Sequence, residues 1–175
     1  MEKLQYPIGR FTPDRDVTPQ KRDSWIRDIE NLPRELRRAV EGLTPAQLDT
    51  PYRDGGWTVR QLAHHLADSH MNAFIRSKLA LTEDRPRIKP YDQEAWAATV
   101  DVKGVPIEPS LMVIDGIQAR WARLFSSLSA SDFQRTFDHP ESGMQTLESQ
   151  LQHYAWHGRH HVAHITSLKE RKGWK

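Results

Sequence analysis

Cysteine is absent from the 175-residue sequence. That excludes disulfides, thiolate metal ligands and a cysteine nucleophile, and it favours a reducing interior. No stretch approaches the ~18 apolar residues of a membrane-spanning helix, and the first residues form no apolar leader. A cytoplasmic protein with no membrane partner is the expectation. Neither sign of charge is in excess: 25 Lys and Arg face 23 Asp and Glu, a formal net charge of +2. The basic residues are scattered, which argues against nucleic acid as a partner. There is no glycine-rich phosphate loop, paired-carboxylate signature or dinucleotide motif. What is present, 37% hydrophobic and 27% charged residues, suits one domain spanning residues 1–175 with a core of its own.

Hydrophobic periodicity predicts four long helices. Residues 1–17, with prolines and charges but no steady period, read as an extended N-terminal arm. Thr18-Pro19 opens the first helix, with Trp25, Ile26, Ile29, Leu32, Leu36 and Val40 at helical spacing. Pro33 is expected to kink or split it. Thr58 and Gln61 form a capping box for the second helix, which runs to about Leu81. A third carries Leu111, Ile114, Ile117, Trp121, Leu124, Phe125 and Leu128 on one face. Thr146 caps a fourth that reaches about Glu170. Asp54-Gly55-Gly56 and His139-Pro140-Glu141-Ser142-Gly143 are breaks. A long helix, a short capped turn, a glycine-containing break and a histidine-bearing helix occur in that order twice. This layout predicts an all-α four-helix bundle made of two helical hairpins.

Nine histidines stand in the chain, and their placement carries the chemistry. At ~100° of rotation per residue, residues four apart share a helix face. His157 and His161 lie together on the flank of the last apolar stripe, and His65 lies on the corresponding flank of the second helix. Three imidazoles so placed can hold one divalent ion and leave a coordination position open, as a catalytic site requires. His64 and His160 point outward in this projection, and His153 less decisively so. His70 falls among apolar residues and should be a neutral, hydrogen-bonded core residue. His164 sits beside the pair, as a fourth ligand or a proton-transfer group. Arg76, on the flank of His65, is a candidate anchor for an anionic substrate group. Asp54, Asp68 and Glu148 are candidate partners for imidazole N–H groups. Trp57, Trp96 and Trp156 could line a pocket or a subunit contact. For each of these, ordinary packing or a solvated surface is the competing explanation.

The segments Tyr52-Arg53-Asp54-Gly55-Gly56-Trp57-Thr58-Val59-Arg60-Gln61, His64-His65-Leu66-Ala67-Asp68-Ser69-His70-Met71-Asn72, and Tyr154-Ala155-Trp156-His157 through His161-Val162-Ala163-His164-Ile165-Thr166 resemble the YfiT family within the DinB-like superfamily. Tyr6-Pro7-Ile8-Gly9 and Lys89-Pro90-Tyr91-Asp92 resemble it as well. The resemblance implies a DinB-like four-helix bundle, usually a cytoplasmic homodimer, with one divalent metal per subunit. The ligands it implies are one histidine on the second helix and a His-x-x-x-His pair on the last, here His65, His157 and His161. It further implies a metal-dependent hydrolase acting on a small-molecule substrate. The alternatives are a thiol S-transferase using a low-molecular-weight thiol such as bacillithiol or mycothiol, and a non-catalytic metal-binding stress protein. Zn²⁺ is the chemical default for three imidazoles, with Ni²⁺ or another divalent ion as the other candidates.

Overall fold

The computed structural model describes residues 2–174. Its elements in order are α1 (Glu2–Gln5), α2 (Pro19–Val40), α3 (Pro45–Leu48), α4 (Val59–Thr82), α5 (Gln93–Trp96), α6 (Glu108–Ser126), a 3₁₀ turn (Asp132–Gln134), β1 (Thr136–His139), β2 (Gly143–Thr146) and α7 (Leu147–Lys172). The predicted start signals form as hydrogen bonds. Thr18 Oγ1 accepts from Lys21 N–H at the head of α2. Thr58 and Gln61 make a reciprocal capping box on α4, and Thr146 and Ser149 make one on α7. Each of these caps satisfies backbone donors that would otherwise be orphaned at a helix start.

The structure refines three expectations. The arm is not extended throughout, because its first residues form the one-turn helix α1. Of the kink or split expected at Pro33, the split does not occur; Leu32 and Leu36, buried on either side, hold both halves in the bundle. The break at residues 139–143 is the turn of a short antiparallel hairpin with Thr136 opposite Thr146 and His139 opposite Gly143. Strands of four residues carry too little alternation to declare themselves.

The arrangement of helices also differs from two stacked hairpins. α2 and α4 each pack principally against α6 and α7, so α2 stands across the bundle from α4 and α6 from α7, while α4 and α6 are neighbours. The connections at residues 41–58 and 127–146 are long enough to cross its ends, which short hairpin turns could not do. This crossing puts α4 beside α7 and so brings His65 toward His157 and His161.

The apolar interior has two halves. Ile26, Ile29, Phe74, Trp121, Phe125 and Leu151 pack in one, and Leu36, Leu62, Leu66, Ile114, Ile165 and Leu168 in the other. Between them, the facing stretches of α4 and α7 carry histidines. At this waist Gly158 of α7 meets Leu32 of α2; a Cβ built on Gly158 would sit 2.9 Å from Leu32 Cδ2. The side-chain-free position is what lets the two helices approach. Gly158→Val should therefore destabilise the protein by about 1–3 kcal/mol through overpacking, read as a lower urea midpoint. An unchanged midpoint would mean that the contact gives way freely.

Candidate metal centre

α4 delivers His65, and α7 delivers His157 and His161 one turn apart. His157 Nε2 lies 3.4 Å from His65 Nε2 and 3.2 Å from His161 Nε2. One nitrogen from each of the three falls within 4.8 Å of the others. A tetrahedral ion with Zn–N bonds of about 2.0–2.1 Å sets its ligand nitrogens about 3.3–3.4 Å apart. The donor set and its spacing thus fit a divalent ion of this kind. The three rings open onto a cavity of about 310 Å³ that Tyr52, Trp57 and Trp156 also line. The Trp57 ring lies 4.6 Å from that of His65, and its Nε1–H donates to Glu94 Oε2 at 2.9 Å.

Burial fixes the protonation state. It draws His65 down to about 4. Burial first, and then the neighbouring imidazoles, hold His157 and His161 well below the ordinary histidine range. All three are neutral at physiological pH, the form in which imidazole binds a metal.

Hydrogen-bond partners then assign the tautomers. The Gln5 carbonyl, which can only accept, lies 3.0 Å from His164 Nε2, so that nitrogen carries the hydrogen. His164 Nδ1 is then an acceptor for His161 Nδ1–H at 3.4 Å. His161 is left with a lone pair on Nε2, facing His157. On the other side the Gln118 side-chain nitrogen lies 2.6 Å from His70 Nδ1, and His70 Nε2 lies 3.2 Å from His157 Nδ1. With the amide donating, His70 Nε2–H donates to His157 Nδ1 and His157 Nε2–H donates to His161 Nε2. One directional chain of hydrogen bonds thus runs from Gln118 through four imidazoles to the backbone at Gln5. Gln118 Oε1 is buried with no partner among the described residues.

A second trio, His160, His161 and His164, also brings its nitrogens within 4.8 Å. There His161 Nδ1 lies 3.4 Å from His164 Nδ1 and His164 Nε2 faces the Gln5 carbonyl, so those nitrogens are already hydrogen-bonded.

The outward directions assigned to His64 and His160 are corrected, since both are buried. They do leave the apolar stripe, but solvent is not what they meet. Ser110 Oγ lies 2.7 Å from His64 Nδ1, where the start of α6 covers α4. The N-terminal arm lies along the outer side of α7: Tyr6 packs on His160, Phe11 packs edge-on to His153, and Trp156 Nε1–H donates to the Gly9 carbonyl. His70 is fully buried and hydrogen-bonded, as its position among apolar residues implies. None of the three carboxylates suggested as imidazole partners serves as one: Glu148 pairs with Arg22 at 2.6 Å, and among the described residues neither Asp54 nor Asp68 hydrogen-bonds a histidine. The imidazole partners are other histidines, backed by Gln118 and Gln5. Sequence reading missed Gln118, a polar residue on the buried face of α6 whose one visible signal was its place among Leu111, Ile114 and Trp121. Trp57 and Trp156 line the cavity, while Trp96 lies outside against Tyr91. Arg76 lies beyond this cavity and lines an adjoining one that shares His157.

The sequence profile of the DinB superfamily matches residues 28–165. A Bacillus mycoides (strain KBAB4) protein named provisionally as a metal-dependent hydrolase is 54% identical over 174 residues, covering 99% of this chain and 100% of its own length. A Bacillus cereus (strain B4264) protein with the same kind of name is 53% identical over the same lengths. The structure of YfiT from Bacillus subtilis, described as a probable metal-dependent hydrolase with an unusual four-helix bundle topology, matches with a TM-score of 0.96 at 48% identity over 99% of both chains. Among the described residues no helix is long and apolar enough to cross a membrane.

The depressed histidines predict the pH behaviour of the protein freed of metal. An unfolded histidine titrates near 6.5, and folded His65 near 4. Between those values the unfolded chain holds more protons, so stability is complete above about pH 6.5 and is lost as pH falls toward about 4. Urea unfolding across that window should show the decline. A flat profile would mean that these imidazoles are not held neutral by burial.

Proposed function

Because the chain belongs to the DinB superfamily, we propose that its three-histidine centre holds a divalent ion, Zn²⁺ by the chemistry of its donors, and hydrolyses a small electrophilic substrate. The observation that carries this reading is the convergence of three neutral imidazole nitrogens, 3.2 and 3.4 Å from neighbour to neighbour, at the wall of an open cavity. An ion held there would supply Lewis acidity, which can bring the pKa of water down to about 7.

The protein's own part is to fix the ligands and the protons on them. His161 is oriented from behind: the Gln5 carbonyl keeps the proton of His164 on Nε2, and His164 Nδ1 keeps that of His161 on Nδ1. This leaves Nε2 of His161 free for the ion. His164 therefore serves as a positioning residue. Both of its nitrogens are engaged, so it is neither a fourth ligand nor a shuttle. His157 must work in the opposite sense. Ligation through Nε2 requires its proton on Nδ1, donating to His70 Nε2. His70 Nδ1–H must then donate to Gln118, with the amide turned so that Oε1 faces it. Gln118 can supply either polarity, as a hydroxyl could and a carboxylate could not. The walls formed by Tyr52, Trp57 and Trp156 restrict water to the open side of the site.

Two variants test the assignment. His157→Ala should lower metal affinity by orders of magnitude, and unchanged stoichiometry by elemental analysis would remove His157 from the site. Gln118→Leu touches no ligand, yet it should weaken metal binding by about 10–100-fold, as loss of an outer partner does; wild-type affinity would dismiss the relay. The activity test is turnover of a chromogenic ester or amide by zinc-loaded protein, abolished by chelation. Turnover of a chlorinated aromatic that needs added thiol, with no ester or amide cleaved, would replace hydrolysis by S-transfer. Ion binding with neither activity would leave a metal-binding protein.

A further inference from the structure

Arg76 of α4 is 9% exposed. Among the described residues no carboxylate oxygen lies within ion-pair distance of its guanidinium, and no acceptor hydrogen-bonds it. The other buried arginine, Arg60, is matched: Asp49 accepts from it at 2.7 Å, and the Val105 carbonyl accepts from it too. The less deeply buried Arg22 is held by Glu148 at 2.6 Å. A desolvated charge without a counter-ion is costly to bury, so an unmatched one that faces a cavity asks for an anion.

The cavity is there. It has a volume of about 620 Å³, and Ser69, Arg76, Tyr91, His139, Tyr154 and His157 line it. Arg76 stands eleven positions after His65, close to three full turns, so it shares His65's side of α4. Helical side chains lean toward the N-terminus, which directs the guanidinium back toward the three-histidine centre. Its charge acts on Tyr91, Tyr154 and His139. Burial pushes the Tyr91 phenol up to about 12, so its hydroxyl is a donor at neutral pH. His139 Nδ1 accepts the Glu141 N–H at 3.3 Å, which leaves hydrogen on Nε2. The lining is thus rich in donors. Two carboxylates also border the cavity. Asp92 Oδ1 accepts from the amides of Glu94 and Ala95 at 3.0 Å, and Glu141 is exposed to solvent.

We propose that this chamber is a carboxylate subsite and that the substrate is a small ester or amide bearing a carboxylate at the end remote from the bond that is cut. The carboxylate pairs with Arg76 and accepts from the Tyr91 hydroxyl. The reacting carbonyl lies on the far side of His157, the one ligand residue that lines both cavities. The substrate assignment rests on the hydrolase reading above; the subsite itself does not.

Two measurements separate the claims. The first is calorimetric titration of zinc-loaded protein with adipate. Arg76→Gln should weaken binding by roughly tenfold or more, as loss of one partner of a desolvated charge pair does, and Tyr91→Phe should weaken it by a smaller factor. If Arg76→Gln fails to fold, Arg76→Lys, which keeps the charge and loses the two-pronged geometry, should still weaken it. Adipate binding that is indifferent to Arg76 and Tyr91 overturns the subsite. The second is cleavage of mono-4-nitrophenyl esters of dicarboxylic acids, from succinate to suberate, against neutral esters of matched length. A preference for the charged series, peaking at one chain length and falling in Arg76→Gln, supports the assignment. Cleavage of neutral esters without that preference leaves the hydrolase and overturns the subsite. Adipate binding through Arg76 with no ester cleaved leaves the subsite and overturns the hydrolase.

Discussion

The structure depends on keeping imidazoles neutral in a place where protonating them is expensive. His65, His70, His157, His161 and His164 lie between two apolar halves of the bundle, and burial lowers the proton affinity of every one. A neutral imidazole is one donor and one acceptor. Without an ion, a row of them is fully hydrogen-bonded only if every ring hands its hydrogen on in one direction. The side-chain amide of Gln118 and the backbone carbonyl of Gln5 terminate the row, and that is what orders it. A positive ion placed among these lone pairs meets no like charge, which is the electrostatic condition for holding one with nitrogen ligands alone.

The crossed topology makes this possible. Had consecutive helices paired as hairpins, α4 would have packed on α2 and the histidines of α4 and α7 would have faced different neighbours. The connections at 41–58 and 127–146 instead carry the chain across the ends of the bundle, and each of them also furnishes part of the surroundings of the site. The first brings Tyr52, stacked on His164 at 4.0 Å between ring centres. The second brings His139 to the chamber of Arg76. The segment between α4 and α6 adds Tyr91 to that chamber.

Much of this was legible in the chain. Helix starts were marked by Thr18, Thr58 and Thr146, whose side chains can close a first turn without tertiary help. The placement of His65, His157 and His161 on the edges of their buried stripes followed from rotation per residue; bringing the three together took the crossed topology that sets α4 beside α7. What failed was any inference about direction away from that stripe. His64 and His160 do leave it, but α6 and the N-terminal arm cover them, and periodicity within one helix cannot report a cover supplied by a segment distant in sequence. The hairpin at 136–146 was hidden by its brevity. Gln118 was hidden because a glutamine on an apolar face looks like noise until its neighbour across the bundle is known. The partners of the imidazoles were expected to be carboxylates and proved to be imidazoles, a choice that spacing does not encode.

Gln5 and His164 are separated by 159 positions, so the last link of the relay joins α7 to a segment very distant in sequence. During synthesis His157 and His161 emerge long after the arm, which must wait for α7 before docking. The proposed metal centre is thereby tied to the N-terminal arm: cleavage beyond Gln5 would spare His65, His157 and His161 and still remove the carbonyl that fixes the proton on His164.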